Sequence, residues 1–145
     1  MNIVLINRSD LLGGAAIATT RLLHGLNKAG VSARMLVVDK RSDSDLVTRV
    51  GSGIEQRYNF LGERLRIFTQ NGFNRKTLFQ IDTATHGTDV SQHPWVTEAD
   101  VIVLGWINQG MLSLNNIERL LQLGKPVVWV MHDMWNCTGV CHHAG

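Results

Sequence analysis

Apolar and polar positions along this chain fall into two rhythms. Short, largely apolar runs rich in β-branched residues recur at 3–6 (IVLI), 34–39 (RMLVVD), 101–107 (VIVLGWI) and 127–131 (VVWVM). Runs of this kind suit strands buried on both faces, as in a parallel sheet. Between them the period lengthens to that of a helix. Residues 15–29 place Ala15, Ala18, Leu22, Leu26 and Ala29 at helical spacing, and Gly30 follows as a C-terminal stop. Residues 54–68 place Tyr58, Leu61, Leu65 and Phe68 on one face, and residues 114–123 form a further helix closed by Gly124. Residues 41–52 are polar and read as a loop, whereas 71–92 show no legible period.

The resulting order is strand–helix–strand–helix–strand–helix–strand. It predicts an α/β fold: a Rossmann-like, doubly wound parallel sheet in a single domain spanning residues 1–145. In such a sheet, ligands sit outside the carboxyl ends of the strands. Three segments occupy that position here: residues 7–14, 106–110 and 132 onward.

Composition narrows the reading only a little. With 44% apolar and 18% charged residues, the chain can fill one core and is too apolar to be disordered. A net charge of +2 without a basic run gives no case for nucleic acid. No apolar stretch reaches the roughly 20 residues of a membrane span, and MNIVLINRSD lacks the features of a signal peptide. The chain is expected in the cytoplasm, with attachment to the inner face of the membrane left open. Cys137 and Cys141 lie close together near one end and could not staple the body of the domain.

Each strand-end segment carries candidate chemistry beside a plainer reading. In SDLLGGAA, Gly13, Gly14 and Ala15 open a helix whose free N–H groups and positive dipole end would favour a phosphate or carboxylate. The spacing is not that of the dinucleotide fingerprint, and the same glycines could serve tight packing alone. In LGWINQG, Trp106 can stack on a sugar ring or base, and the Asn108 amide can hydrogen-bond hydroxyls. Equally, Trp106 could fill the core and Asn108 form a turn. In MHDMWNCTGVCHH, His132 can act as general base or donate to a charged oxygen. Asp133 could orient that histidine, accept from substrate hydroxyls, or cap the next helix. Cys137, Cys141, His142 and His143 invite a metal reading, but a strong zinc signature would need a second paired set. No metal is expected.

Taken together, GGAAIATTRLLHGLNKAG, EADVIVLGWINQGMLSL and GKPVVWVMHDMWNCTGVCHHAG resemble one family. It is glycosyltransferase family 4, the retaining enzymes of the two-Rossmann-domain (GT-B) fold, in a bacterial polysaccharide-biosynthesis branch. The resemblance is weakest over residues 41–85. It implies transfer of a sugar, of hexosyltransferase type, from a nucleotide-sugar to a glycan or lipid-linked acceptor, with retention and without a cofactor. The nucleotide-sugar is the donor substrate. It further implies that Gly13, Gly14 and Ala15 approach the donor phosphates, that His132 contacts the transferred sugar, and that Trp106 and Asn108 match a Trp–Ile–Asn motif on the acceptor side. Two departures stand out. The family pattern has a histidine where this chain has Gly105, and often Pro-Phe where this chain has Asn136-Cys137. Relatives continue into a donor-binding domain, so the chain is expected to be the acceptor-side half of a cleft and inactive alone. The competing expectations are a non-catalytic α/β module binding a small anion and a nucleotide-dependent enzyme of another kind, such as an oxidoreductase.

Overall fold

The structure, a computed structural model, describes residues 1–75, 78–138 and 140–142. Five parallel strands form one sheet: β1 (Asn2–Ile6), β2 (Ser32–Val37), β3 (Val47–Arg49), β4 (Val101–Leu104) and β5 (Val127–Trp129), in the order β3-β2-β1-β4-β5. The helices are α1 (Gly14–Lys28), α2 (Gly53–Gln70), α3 (Pro94–Thr97), α4 (Leu114–Gln122) and α5 (Trp135–Thr138). This is the Rossmann-like α/β fold that the rhythm of apolar runs predicts.

The central strands are apolar because both faces are covered. Val4, Ile6, Leu36, Ile102 and Leu104 point to one side, where Ile117 and Leu120 of α4 and Val96 of α3 meet them. Ile3, Leu5, Met35, Val37 and Val103 point to the other, against Leu23 of α1. Successive side chains of a strand therefore feed two separate cores.

Several boundaries differ from expectation. The polar segment 41–52 contains the edge strand β3, whose Val47 is buried while Thr48 and Arg49 are not. Strand β4 stops at Leu104, so Trp106 and Ile107 belong to the loop after it. Strand β5 stops at Trp129 rather than Met131. Helix α1 buries Ala16, Thr19 and Leu23 rather than the face containing Ala18 and Leu22, a rotation of one residue. Alanines and leucines lie on both faces here, so periodicity alone does not choose. Thr19 can face inward because its hydroxyl donates to the Ala15 carbonyl at 2.8 Å.

Helix α2 turns most of its expected face outward, and of the four residues placed on that face only Phe68 is half-buried. The expected core residues Tyr58, Leu61 and Leu65 are 67%, 63% and 63% exposed, whereas Asn59, Glu63, Arg64 and Ile67 are buried. The cause lies in the segment without a legible period. The Glu63 carboxylate accepts from the backbone N–H and hydroxyl of both Thr83 and Thr85, and from the His86 N–H. Arg64 donates to the Asp82 carboxylate at 3.0 Å and to the Leu78 carbonyl, and Asn59 donates to the Thr88 hydroxyl. A charged face becomes buriable once its charges have partners, and here Arg64 Nε is the one buried side-chain atom of this face left without a hydrogen bond among the described residues. Asp82 in turn accepts from the Gln109 N–H at 2.5 Å, carrying the network to the loop after β4.

Burial alone would push the Glu63 carboxyl up, but the donations from Thr83 and Thr85 outweigh it and hold it at about 2, against an ordinary 4.5. The folded-state value lies below the unfolded one, so the stabilisation is present above the ordinary value and lost as pH falls through the folded one. It amounts to as much as about 3 kcal/mol. Glu63→Gln should accordingly flatten the decline in urea-unfolding stability between about pH 4.5 and pH 2, and should destabilise the fold at neutral pH. The orientation of α2 has a separate readout. Leu61→Ala and Leu65→Ala should each change stability by less than about 0.5 kcal/mol, while Ile67→Ala should cost about 2–5 kcal/mol.

Candidate functional site

Going along the chain, β1 is followed by β2 and β3 on one side, and then by β4 on the other side of β1. The order of strands thus reverses between β1 and β4, and connections there diverge to open a crevice. The two loops flanking it are stitched together at their bases. Asn7, fully enclosed, accepts from the Trp106 N–H at 2.6 Å and donates to the Ser9 carbonyl at 2.6 Å. The Arg8 N–H donates to the Trp106 carbonyl at 2.8 Å. Gly105 makes this possible: a Cβ there would lie 2.5 Å from Asn7 Oδ1 and 2.9 Å from Thr19 Oγ1. The space a side chain would take at Gly105 is filled by Asn7 and Thr19.

Above this base lies a cleft of ≈ 550 Å³, within the usual range for small-molecule sites. Its walls bring together Gly13, Gly14, Ala15, Trp106, His132 and Asp133, from three separate strand ends. Arg8 and Gln109 line it too. Neither was singled out from the sequence. Arg8 could have been, because it directly follows a buried strand. Gln109 could not. It adopts the left-handed backbone region (φ 56°) that a side chain rarely enters, and is held there by the hydrogen bond of its N–H to buried Asp82. Asn108 does not join the cleft walls. It is buried, and its amide nitrogen has no hydrogen-bond partner among the described residues.

The glycine turn can now be read physically. Gly13 has φ 90°, which a side chain would strain. A Cβ at either Gly13 or Gly14 would meet nothing within 4 Å. Tight packing is therefore not why side chains are missing here; their absence leaves the start of α1 uncovered. No side chain caps this helix and no acidic residue sits in its first turn. Its N-terminal N–H groups and dipole consequently face the cleft uncompensated, an arrangement that favours an anion.

His132 is exposed on the cleft wall. Asp133 does not orient it. The Asp133 carboxylate instead accepts from the Trp106 indole N–H at 2.9 Å and from the Trp135 N–H at 3.0 Å, and His142 Nδ1 lies 2.6 Å from the same Oδ2. Burial would raise the Asp133 pKa, but the donations from Trp135, His142 and Trp106 prevail and hold it below the ordinary value. Asp133 is thus an ionised acceptor that locks the indole in place and caps α5 at the same time. His142, buried beside Trp106 with ring centroids 6.1 Å apart, was read from sequence only as part of a possible metal set. Its partner is a carboxylate nine residues earlier, which no linear spacing rule singles out. Cys137 and Cys141 are free thiols, and His143 lies outside the described residues. No group of three or more His, Cys, Asp or Glu among the described residues is placed to hold a metal ion. Nor is any helix among them long and apolar enough to cross a membrane.

Gly105→Ala should force Asn7 or Thr19 to move, destabilising the fold by about 1–3 kcal/mol in chemical denaturation. Asp133→Asn should loosen the indole, seen as a red-shifted, more quenchable tryptophan emission, with far-UV circular dichroism retained. Comparison of the chain with protein-family models, curated proteins and solved structures returns no match.

Proposed function

We propose that this chain is the acceptor-side, N-terminal domain of a retaining glycosyltransferase that moves a sugar from a nucleotide-sugar to a glycan or lipid-linked acceptor. The supporting observation is the convergence, in one cleft at the strand-order reversal, of an uncapped helix start, an exposed histidine and a carboxylate-locked tryptophan. The reading also draws on the resemblance of the three sequence blocks that carry these groups.

In this reading the N–H groups of the α1 start take the donor diphosphate, whose charge grows as the glycosidic bond breaks. Donors already in place need no reorganisation at that moment. His132 hydrogen-bonds the transferred sugar. Trp106 offers a ring face whose orientation is fixed by Asp133, so Asp133 is a positioning residue and not a base. The acceptor-side role expected of Asn108 passes to its neighbour Gln109, which lines the cleft. Full transition-state stabilisation requires a second wall around the diphosphate, which the resembled family supplies with its donor-binding domain. This chain by itself should therefore bind and not turn over.

The test is saturation-transfer NMR with uridine- and guanosine-diphosphate sugars. At least one should bind saturably. His132→Ala should weaken it by about tenfold, the worth of one hydrogen bond. Gly14→Val fills open space over the helix start, so it should abolish binding while leaving thermal stability nearly unchanged. Binding that survives both substitutions, or tight binding of a nicotinamide cofactor in place of a nucleotide-sugar, would remove the proposal.

A further inference from the structure

Beside the cleft, and sharing Arg8 and Gln109 with it, lies a second pocket of ≈ 380 Å³. Its walls come from the carboxyl ends of β1, β2 and β3 and the first turns of α2. Four cations line it: Arg8, Lys40, Arg49 and Arg57. The lining contains one carboxylate, Asp39, and that one is paired with Arg41 at 3.1 Å. None of the four cations forms an ion pair among the described residues. Lys40 donates to the Ser44 carbonyl at 3.0 Å and Arg49 to the Gln56 amide oxygen at 3.2 Å, both neutral acceptors. Arg8 sits over the Phe60 ring, 5.7 Å from its centroid, and its Nε is buried without a partner.

Four positive charges face one concavity against the single lining carboxylate of Asp39, with buried Asp82 also acting on Arg8, so positive charge remains in excess, and a domain of net charge +2 has no general need to gather it. Concave walls of one sign focus the field on whatever enters. Guanidinium forks match the oxygens of a phosphate in pairs, and a dianion offsets more of this charge than a carboxylate can. Arg57 also borders the exposed stripe of Tyr58, Leu61 and Leu65 on α2, so an apolar extension of the ligand would find a surface directly outside the pocket.

We propose that the pocket formed by Arg8, Lys40, Arg49 and Arg57 binds a phosphate monoester, the anionic group of the acceptor, and presents the molecule to the adjoining cleft. Only the word acceptor rests on the transferase reading; the preference for phosphate stands on the pocket itself. The phosphate could belong to a soluble ester or to a lipid headgroup, and the experiment separates the two.

Two probes are used: glycerol 3-phosphate, followed by amide NMR shifts, and phosphatidylcholine vesicles with and without phosphatidic acid, followed by co-sedimentation. A soluble source gives saturable shifts at residues 38–40, 49, 56 and 57 with glycerol 3-phosphate and none with glycerol. A lipid source gives sedimentation that requires phosphatidic acid and is lost in Leu61→Ser/Leu65→Ser. In either arm Arg49→Gln/Arg57→Gln should weaken binding by about tenfold or more. The equally charge-depleted control Arg21→Gln/Lys28→Gln, on α1, should bind as the parent does. Circular dichroism verifies that each variant is folded. The proposal is overturned if neither probe binds, if shifts are confined to residues 13–15, if both charge-depleted variants lose binding equally, or if vesicle binding survives Arg49→Gln/Arg57→Gln. A cleft that ignores every nucleotide-sugar would sink the transferase reading and leave these outcomes untouched.

Discussion

The side chain of Asn7 holds the carboxyl ends of β1 and β4 together at the point where the strand order reverses. Its oxygen takes the Trp106 N–H and its nitrogen serves the Ser9 carbonyl, both without access to water. Chains diverge at this point in any doubly wound sheet, leaving backbone groups that the sheet ladder no longer pairs. One buried amide, with the Arg8–Trp106 backbone bond beside it, satisfies them and sets the spacing of the two loops. Gly105 lacks a side chain because Asn7 and Thr19 occupy its space. The glycine turn, the indole and the histidine-bearing loop face one another because this base is rigid.

A second polar network braces the same site from the other side. Glu63 gathers the N–H groups of residues 83, 85 and 86, Arg64 meets Asp82, and Asp82 holds the left-handed Gln109 at the cleft wall. The network inverts α2, because the face that can satisfy buried charge turns inward and the apolar stripe remains outside. An exposed apolar stripe next to a pocket of unpaired cations is an unusual surface for a domain to keep without use. The fold itself hosts many unrelated chemistries, so any functional reading has to come from these local groups and not from the sheet.

The sheet was legible because a strand buried on both faces must be apolar throughout, and VIVL or IVLI says so without help from distant residues. The three strand-end segments were legible for the same reason, since finding the strands locates their ends. Less legible were the faces of the helices. In α1 small apolar residues on two sides left the choice to packing, and in α2 the apolar periodicity pointed the wrong way. Glu63 and Arg64 look like surface residues unless residues 78–88 are known to supply their partners, and that segment carries no period of its own. Trp106 was legible as a candidate; its locking by Asp133 and His142 was not, since those contacts span 27 and 9 residues.

Apolar runs and glycine stops in the sequence alone determined the parallel α/β architecture and the placing of Gly13, Gly14, Trp106 and His132 at strand ends, because burial on both faces and backbone freedom are local requirements. Tertiary structure alone decided that Asn108 turns inward while Gln109 faces the cleft, that Asp133 holds a tryptophan and not its neighbouring histidine, that α2 shows its apolar side to the outside, and that Arg8, Lys40, Arg49 and Arg57 share one pocket. Each of these depends on which distant partner satisfies a buried charge or hydrogen bond, and the chain supplies that partner only once it has folded.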